Sequence, residues 1–196
     1  EMTSSLVGSE MCIRDRSWDI SLVARPYMEH LCQRTGASVM LSVCEGGSVI
    51  TLDQVETRDN LRVVSDIGSR LPIYCTSQGK VFLAHMSRTS AEALLRAQHM
   101  TQFTPHTITD LTALMQEIDL CRTDGYAIEN GEYKIGLRSI SAPVYTVEGK
   151  ARYTVGVIGM FRSTRSDEFL AAVEQVCATA SMISTALGYR KTEELL

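Results

Sequence analysis

Apolar and polar positions along the chain change period several times, and each change marks an element. From Asp19 the apolar residues Leu22, Val23, Leu31 and Cys32 recur at helical spacing, with Gly36 placed as a stop. Pro26 suits a helix start or a kink, so two helical segments are open there. The run ASVMLSVCEGGSVITLDQV then reads as two strands about a Glu45-Gly46-Gly47 turn, and NLRVVS as a third short strand. GSRLPIYCTSQGKVFLAHM is irregular up to Cys75 and helical through Val81, Phe82, Leu83 and Met86. A second helix follows at SAEALLRAQ, with Thr89 or Ser90 as its cap. A third carries the stripe Leu111, Leu114, Met115, Ile118 and Cys121 and ends at Gly125. Three strands, YAIE, LRSISAPVYT and ARYTVGVIGMF, precede a last helix starting near Thr164 or Ser166, with Asp167 and Glu168 in its first turn. Its stripe is Leu170, Val173, Val176, Cys177, Ala180, Ile183 and Leu187. Helices set apart from hairpin-connected strands predict an α+β fold with an antiparallel sheet.

A chain of 196 residues with 44% hydrophobic and 21% charged residues has the composition of one globular domain. The formal net charge of −4 argues against binding DNA through its own surface. No apolar run reaches the roughly 18 to 20 residues of a membrane span, so no membrane partner is expected. Six cysteines without paired spacing read as reduced thiols, and the four histidines offer no zinc-ligand pairing. No cofactor or metal is expected. The stretch EMCIRDR lacks the features of a signal peptide and resembles a translated sequencing-library adapter. Residues 1–18 are therefore expected to be an artefact or a disordered leader, 19–191 one domain, and 192–196 a short tail.

Two segments hold candidate chemistry. YCTSQGK places small polar residues at a loop-to-helix junction, where unpaired backbone N–H groups and the helix dipole can hold an anion. The plainer reading is an ordinary cap at Thr76 or Ser77. In LRSISAPVY, alternation puts Leu137, Ser139, Ser141 and Pro143 on one face and Arg138, Ile140, Ala142 and Val144 on the other. The first face can line a polar cavity, with Glu129 beside it if the loop folds back, or be a half-solvated sheet face. Glu129 and Glu132 read as loop charges sooner than as a catalytic pair. Cys75 has the position of a reactive thiol, ahead of a helix start, but no nucleophile–base constellation can be assembled around it.

LPIYCTSQGKVFLA, TPHTITDLTAL and DGYAIENGEYKIGLRSISAPVY, in that order, resemble the C-terminal effector-binding domain of IclR-family bacterial transcription regulators. The resemblance covers roughly residues 22 to 189. It implies a GAF-like fold, a curved antiparallel sheet flanked by helices. It also implies a cytoplasmic homodimer or tetramer that senses a small organic acid and is not an enzyme. Carried over by position, the ligand-binding residues are Leu61 and Val63 as wall, Ser77 and Gln78 at the helix start, Glu129, Ser139, and Val157 and Gly159 on the last strand. Tyr74 to Ser77 and Gly136 to Ser139 look like the branch that senses aromatic acids such as protocatechuate and 4-hydroxybenzoate. Val157 and Gly159 stand where relatives often carry serines, which implies a more apolar pocket and a larger ligand than glyoxylate or pyruvate. The family's N-terminal winged helix-turn-helix has no counterpart in the sequence, so DNA would be read only through that missing module. The alternatives are a stand-alone GAF-like thiol or redox enzyme using Cys75, and a pure oligomerisation module.

Overall fold

The computed structural model describes residues 7–57 and 66–190, with side chains from residue 20 onward. Among the described residues, five helices flank one curled, fully antiparallel sheet of six strands. The elements are α1 (Val7–Thr35), β1 (Ser38–Glu45), β2 (Ser48–Val55), β3 (Arg70–Pro72), α2 (Ser77–Ala84), α3 (Arg88–Ala97), α4 (Leu111–Asp124), β4 (Ala127–Asn130), β5 (Arg138–Tyr145), β6 (Ala151–Gly159) and α5 (Asp167–Ala186). The strand order is β3-β2-β1-β6-β5-β4, so the first and last hairpins meet at the β1–β6 seam in the middle.

Alternation along the central strands divides the interior in two. Val39 and Leu41 of β1, Val155 and Val157 of β6, and Ile140, Ala142 and Val144 of β5 face α1 and α5 and form one apolar core. The opposite face, against which α2 packs, carries Ser38, Met40 and Ser42, Thr154 and Gly156, and Ser139 and Ser141. A second core of Ile73, Val81, Leu83, Leu95, Leu114 and Ile118 then fixes α2 against α3 and α4.

Several local expectations hold for reasons visible in the backbone. The β1–β2 hairpin turns through Gly46 and Gly47, both at positive φ (56° and 75°), which matches the twist of a two-residue turn. Helix α4 is stopped by the expected Gly125 at φ 78°, and α5 is capped by Ser166, one of its two expected starts; the Asp110 cap of α4 is an addition of the structure.

Others are corrected. Helix α1 runs unbroken through Pro26, and it begins at Val7 instead of Asp19. Pro26 is exposed, so the hydrogen bond it removes lies on the solvent side, while Ile20, Ala24, Met28 and Leu31 form the buried stripe. Leu22 stays 68% exposed. The cap of α3 is Ser87, not Thr89 or Ser90. In α5 the buried residue of the first turn is Phe169, and Leu170 faces out. Its 20 residues are apolar enough by composition to pass for a membrane span, contrary to expectation. The apolarity has another cause, since one face packs on β5 and α1. Arg70–Pro72, expected to be irregular, pairs with β2, and the expected strand at 60–65 lies outside the described residues.

Candidate functional site

The start of α2 is built against the sheet by three residues of the TSQGK run. Thr76 caps it: its Oγ1 accepts from Gly79 N (3.2 Å) and donates to Pro72 O (2.8 Å). Gly79 is required by space, because a Cβ there would lie 1.9 Å from Ile73 O. With Gly79 N bonded to the cap side chain and Lys80 N to Thr76 O, the amides of Ser77 and Gln78 have no acceptor among the described residues. The helix dipole adds partial positive charge at the same spot.

Beneath those amides lies a cluster of buried hydroxyls. Ser77 Oγ sits 2.8 Å from Ser139 Oγ and 2.8 Å from Ser141 Oγ, and all three residues are at most 2% exposed. The neighbouring strand makes room for this, since a Cβ on Gly156 would meet Ser141 Oγ at 2.2 Å. The Gln78 amide, 3% exposed, has only two long contacts, with Ser77 Oγ (3.4 Å) and Met40 Sδ (3.5 Å). A buried primary amide has capacity for four hydrogen bonds, so it is under-satisfied here.

Glu129 stands opposite Ser139 in the β4–β5 ladder and extends the cluster. Its Oε2 accepts from Ser139 Oγ (3.2 Å), and its Oε1 accepts from the amides of Glu132 (2.5 Å) and Tyr133 (3.1 Å). Burial pushes its pKa up, the two backbone amides pull it back, and the net direction is upward. The 131–137 loop therefore folds back over the strand, the condition on which alternation places Glu129 beside the serine face. It is held from the far side by Thr104, which donates to Gly131 O (2.6 Å), and by Thr107, which donates to Glu132 O (2.6 Å). Those two threonines belong to the TPHTIT motif.

Lys80 has the largest fully buried side chain in the described protein, at 1% exposure. Its ammonium donates to Glu132 Oε1 (2.6 Å) and Ile128 O (3.2 Å) and lies 3.6 Å from Glu117 Oε2. Glu132 Oε2 has no hydrogen-bond partner among the described residues. Glu132 is thus a buried ion-pair member and not a loop charge. Lys134 is exposed, while Arg138 is half-buried: its Nη1 donates to Phe161 O and its Nε is buried with no hydrogen-bond partner among the described residues.

Of the residues expected to bind ligand, Ser77, Gln78, Glu129 and Ser139 come together. Leu61 and Val63 lie outside the described residues. Val157 and Gly159 do not join them. Val157 packs in the α1/α5 core, and a Cβ on Gly159 would point to Ala37 and Phe161 of that same core. Gly156 and Ile158, one position away, are the residues of β6 that share the face of Ser139 and Ser141. The polarity argument drawn from Val157 and Gly159 therefore falls, because a one-residue offset on a strand exchanges faces. Lys80 was not singled out in the sequence, and no local signal marks it, because its partner Glu132 is 52 positions away. Cys75 is fully buried, and burial together with the nearby Glu132 and Glu129 charges raises its thiol pKa to about 12. A thiolate nucleophile at neutral pH is disfavoured there.

Residues 15–185 match the family model described as bacterial transcriptional regulator IclR, C-terminal. The HTH-type transcriptional repressor AllR of Escherichia coli K12 is 28% identical over 172 residues, 88% of this chain. The chain spans 64% of that relative's length. Among solved structures, the IclR of Thermotoga maritima aligns with a TM-score of 0.81 and 28% identity, over 87% of this chain and 69% of that one. The C-terminal domain of the E. coli transcriptional regulator KdgR aligns with a TM-score of 0.78 and 26% identity, over 87% of this chain and 99% of that domain. The relatives are transcription regulators and not enzymes, and on this evidence the chain belongs to the IclR family and corresponds to its C-terminal effector-binding domain.

Proposed function

We propose that this domain senses a small organic carboxylate, aromatic acids included, at the start of α2. The observation that carries the reading is the joint between α2 and β5. Two backbone amides without acceptors (Ser77 and Gln78) lie over three buried hydroxyls, with an under-satisfied amide side chain alongside. The ligand carboxylate would sit on the two amides and accept from the Ser77 and Ser139 hydroxyls. A ligand hydroxyl would donate toward Glu129. Burying a carboxylate without such donors costs several kcal/mol, which makes them indispensable. Leu61 and Val63 would contribute wall.

In this reading the domain works within a cytoplasmic, homodimeric or tetrameric transcription regulator, and DNA is contacted by the winged helix-turn-helix of the whole protein. Ligand shifts an existing equilibrium between subunit arrangements by the difference in its affinity for them. The test is thermal unfolding of the 196-residue chain with pyruvate, glyoxylate, 4-hydroxybenzoate and protocatechuate. A ligand at about 100 times its Kd adds roughly 2.7 kcal/mol of stability. The expected outcome is a rise for one class that Ser139→Ala and Glu129→Ala both remove; a melting curve unmoved by every acid would sink the sensor reading.

A further inference from the structure

A second groove lies apart from the α2 site, between the β2–β3 edge and the segment leading from α3 to α4. Its volume is about 360 Å³, within the range of small-molecule sites. Arg70, Gln98, His99, Tyr74 and Phe103 line it, and none of its lining residues is acidic. Its two cationic or cation-forming side chains are largely uncommitted. Among the described residues Arg70 makes one long hydrogen bond, from Nη1 to Glu45 O at 3.4 Å, which leaves most of the guanidinium donors without a partner there. His99 is exposed and has no hydrogen-bond or ion-pair partner among the described residues.

The walls, by contrast, are fixed. Tyr74 Oη donates to Thr101 O (2.9 Å) and ties the α3–α4 segment to the approach to α2. Gln98 Nε2 donates to Gly47 O (2.6 Å), and a Cβ on Gly47 would lie 2.7 Å from that same nitrogen. Phe103 stacks on the buried Tyr74 ring at 6.3 Å and 20°. It remains 44% exposed, a large aromatic surface held in place beside free cationic donors.

We propose that this groove is a second ligand site, distinct from the α2 site, for a small planar carboxylate. The Arg70 fork would take the carboxylate in a bidentate pair, His99 would add a donor, and the ring of the ligand would lie against Phe103. The assignment does not depend on the proposed sensor site, since it shares no residue with the Ser77–Ser139 cluster.

The test is a backbone-amide NMR titration of the 196-residue chain with benzoate, alongside inorganic phosphate and the non-planar cyclohexanecarboxylate. Benzoate is expected to give saturable shifts at Gly47, Tyr74, Gln98 and Phe103. Arg70→Gln should weaken that binding about tenfold or more, with His99→Gln weakening it less. Both residues are exposed, and an unchanged thermal midpoint verifies each variant's fold. Shifts at Ser77 or Ser139 that vanish in Ser139→Ala belong to the other site, so the two assignments fail separately. Equal response to phosphate or cyclohexanecarboxylate would overturn the planar-acid class. No saturable shift at these four amides, or indifference to Arg70→Gln, would overturn the site.

Discussion

The two faces of the sheet are made by the same strands, yet they are built on opposite principles. Toward α1 and α5, β1, β5 and β6 present Val39, Leu41, Ile140, Val144, Val155 and Val157, a closed apolar contact. Toward α2 the alternate residues are Ser38, Met40, Ser42, Ser139, Ser141, Thr154 and Gly156. That face is equally buried but satisfied by hydrogen bonds only in part: Ser42 Oγ and Thr154 Oγ1, which lie side by side in the β1–β6 register, have no partner among the described residues. A buried hydroxyl without a partner forfeits stability that a methyl group would keep. The difference teaches where the molecule places its stability and where it keeps chemistry available. The α1/α5 face holds the sheet together, and the α2 face holds polar groups whose hydrogen-bonding capacity is left over for something else.

Substitutions on each face test this contrast. The largest effect is expected behind α2, at Lys80. Lys80→Met leaves Glu132 as a buried carboxylate with its cation removed, and breaking such a pair typically costs about 3–5 kcal/mol. Pairing it with Glu132→Gln should recover most of that loss in urea unfolding. A cost below about 1 kcal/mol for the single variant would show that the pair is effectively solvated.

Across the two faces the expectation is a split between stability and response. Leu41→Ala, in the α1/α5 core and fully buried, should cost about 2–5 kcal/mol and leave the response to ligand intact. Ser141→Ala should cost about 1 kcal/mol, because Ser77 keeps its contact with Ser139, and should weaken the carboxylate-induced rise in Tm. The contrast breaks if Leu41→Ala abolishes the response, or if Ser141→Ala costs as much stability as Leu41→Ala.

The smallest effect is electrostatic. The folded-state pKa of Glu129 is raised above its ordinary 4.5, chiefly by burial. The stability contributed by this group is therefore complete below that ordinary value and lost as pH rises through the raised folded pKa. Glu129→Gln keeps an acceptor for the Glu132 and Tyr133 amides and has no charge to desolvate, so this part of the pH dependence should flatten. Urea midpoints of the two proteins across that interval decide it. A wild type that gains on the variant as pH rises would mean that the backbone donors outweigh burial.

Local signals were legible in the sequence wherever one residue type dictates the backbone. The paired glycines of the β1–β2 turn and the Gly125 stop of α4 lie where the pattern places them, and the Ser166 cap of α5 is one of its two expected starts. Motif order identified the family, and strand alternation put Ser139 and Ser141 on one face with Glu129 close by. Face assignment on β6 failed by one residue, because a motif carried over by position has no register of its own. Only pairing with β5 shows that Gly156, and not Val157, lies next to Ser141. Pro26 misled for a related reason: its effect on a helix depends on which side of α1 meets solvent.

Sequence alone thus determined most of the elements, the antiparallel α+β class and the family, because caps, turns and periodicity are local or ordered along the chain. Tertiary structure decided what each charge means. Lys80 and Glu132 are 52 positions apart and become a buried pair only when α2 packs over the loop after β4. Ser77 meets Ser139 62 positions on because α2 starts flush against Ile73 and β6 carries no side chain at Gly156. Burial and pairing across such separations set the energies of these groups, and no local pattern along the chain encodes them.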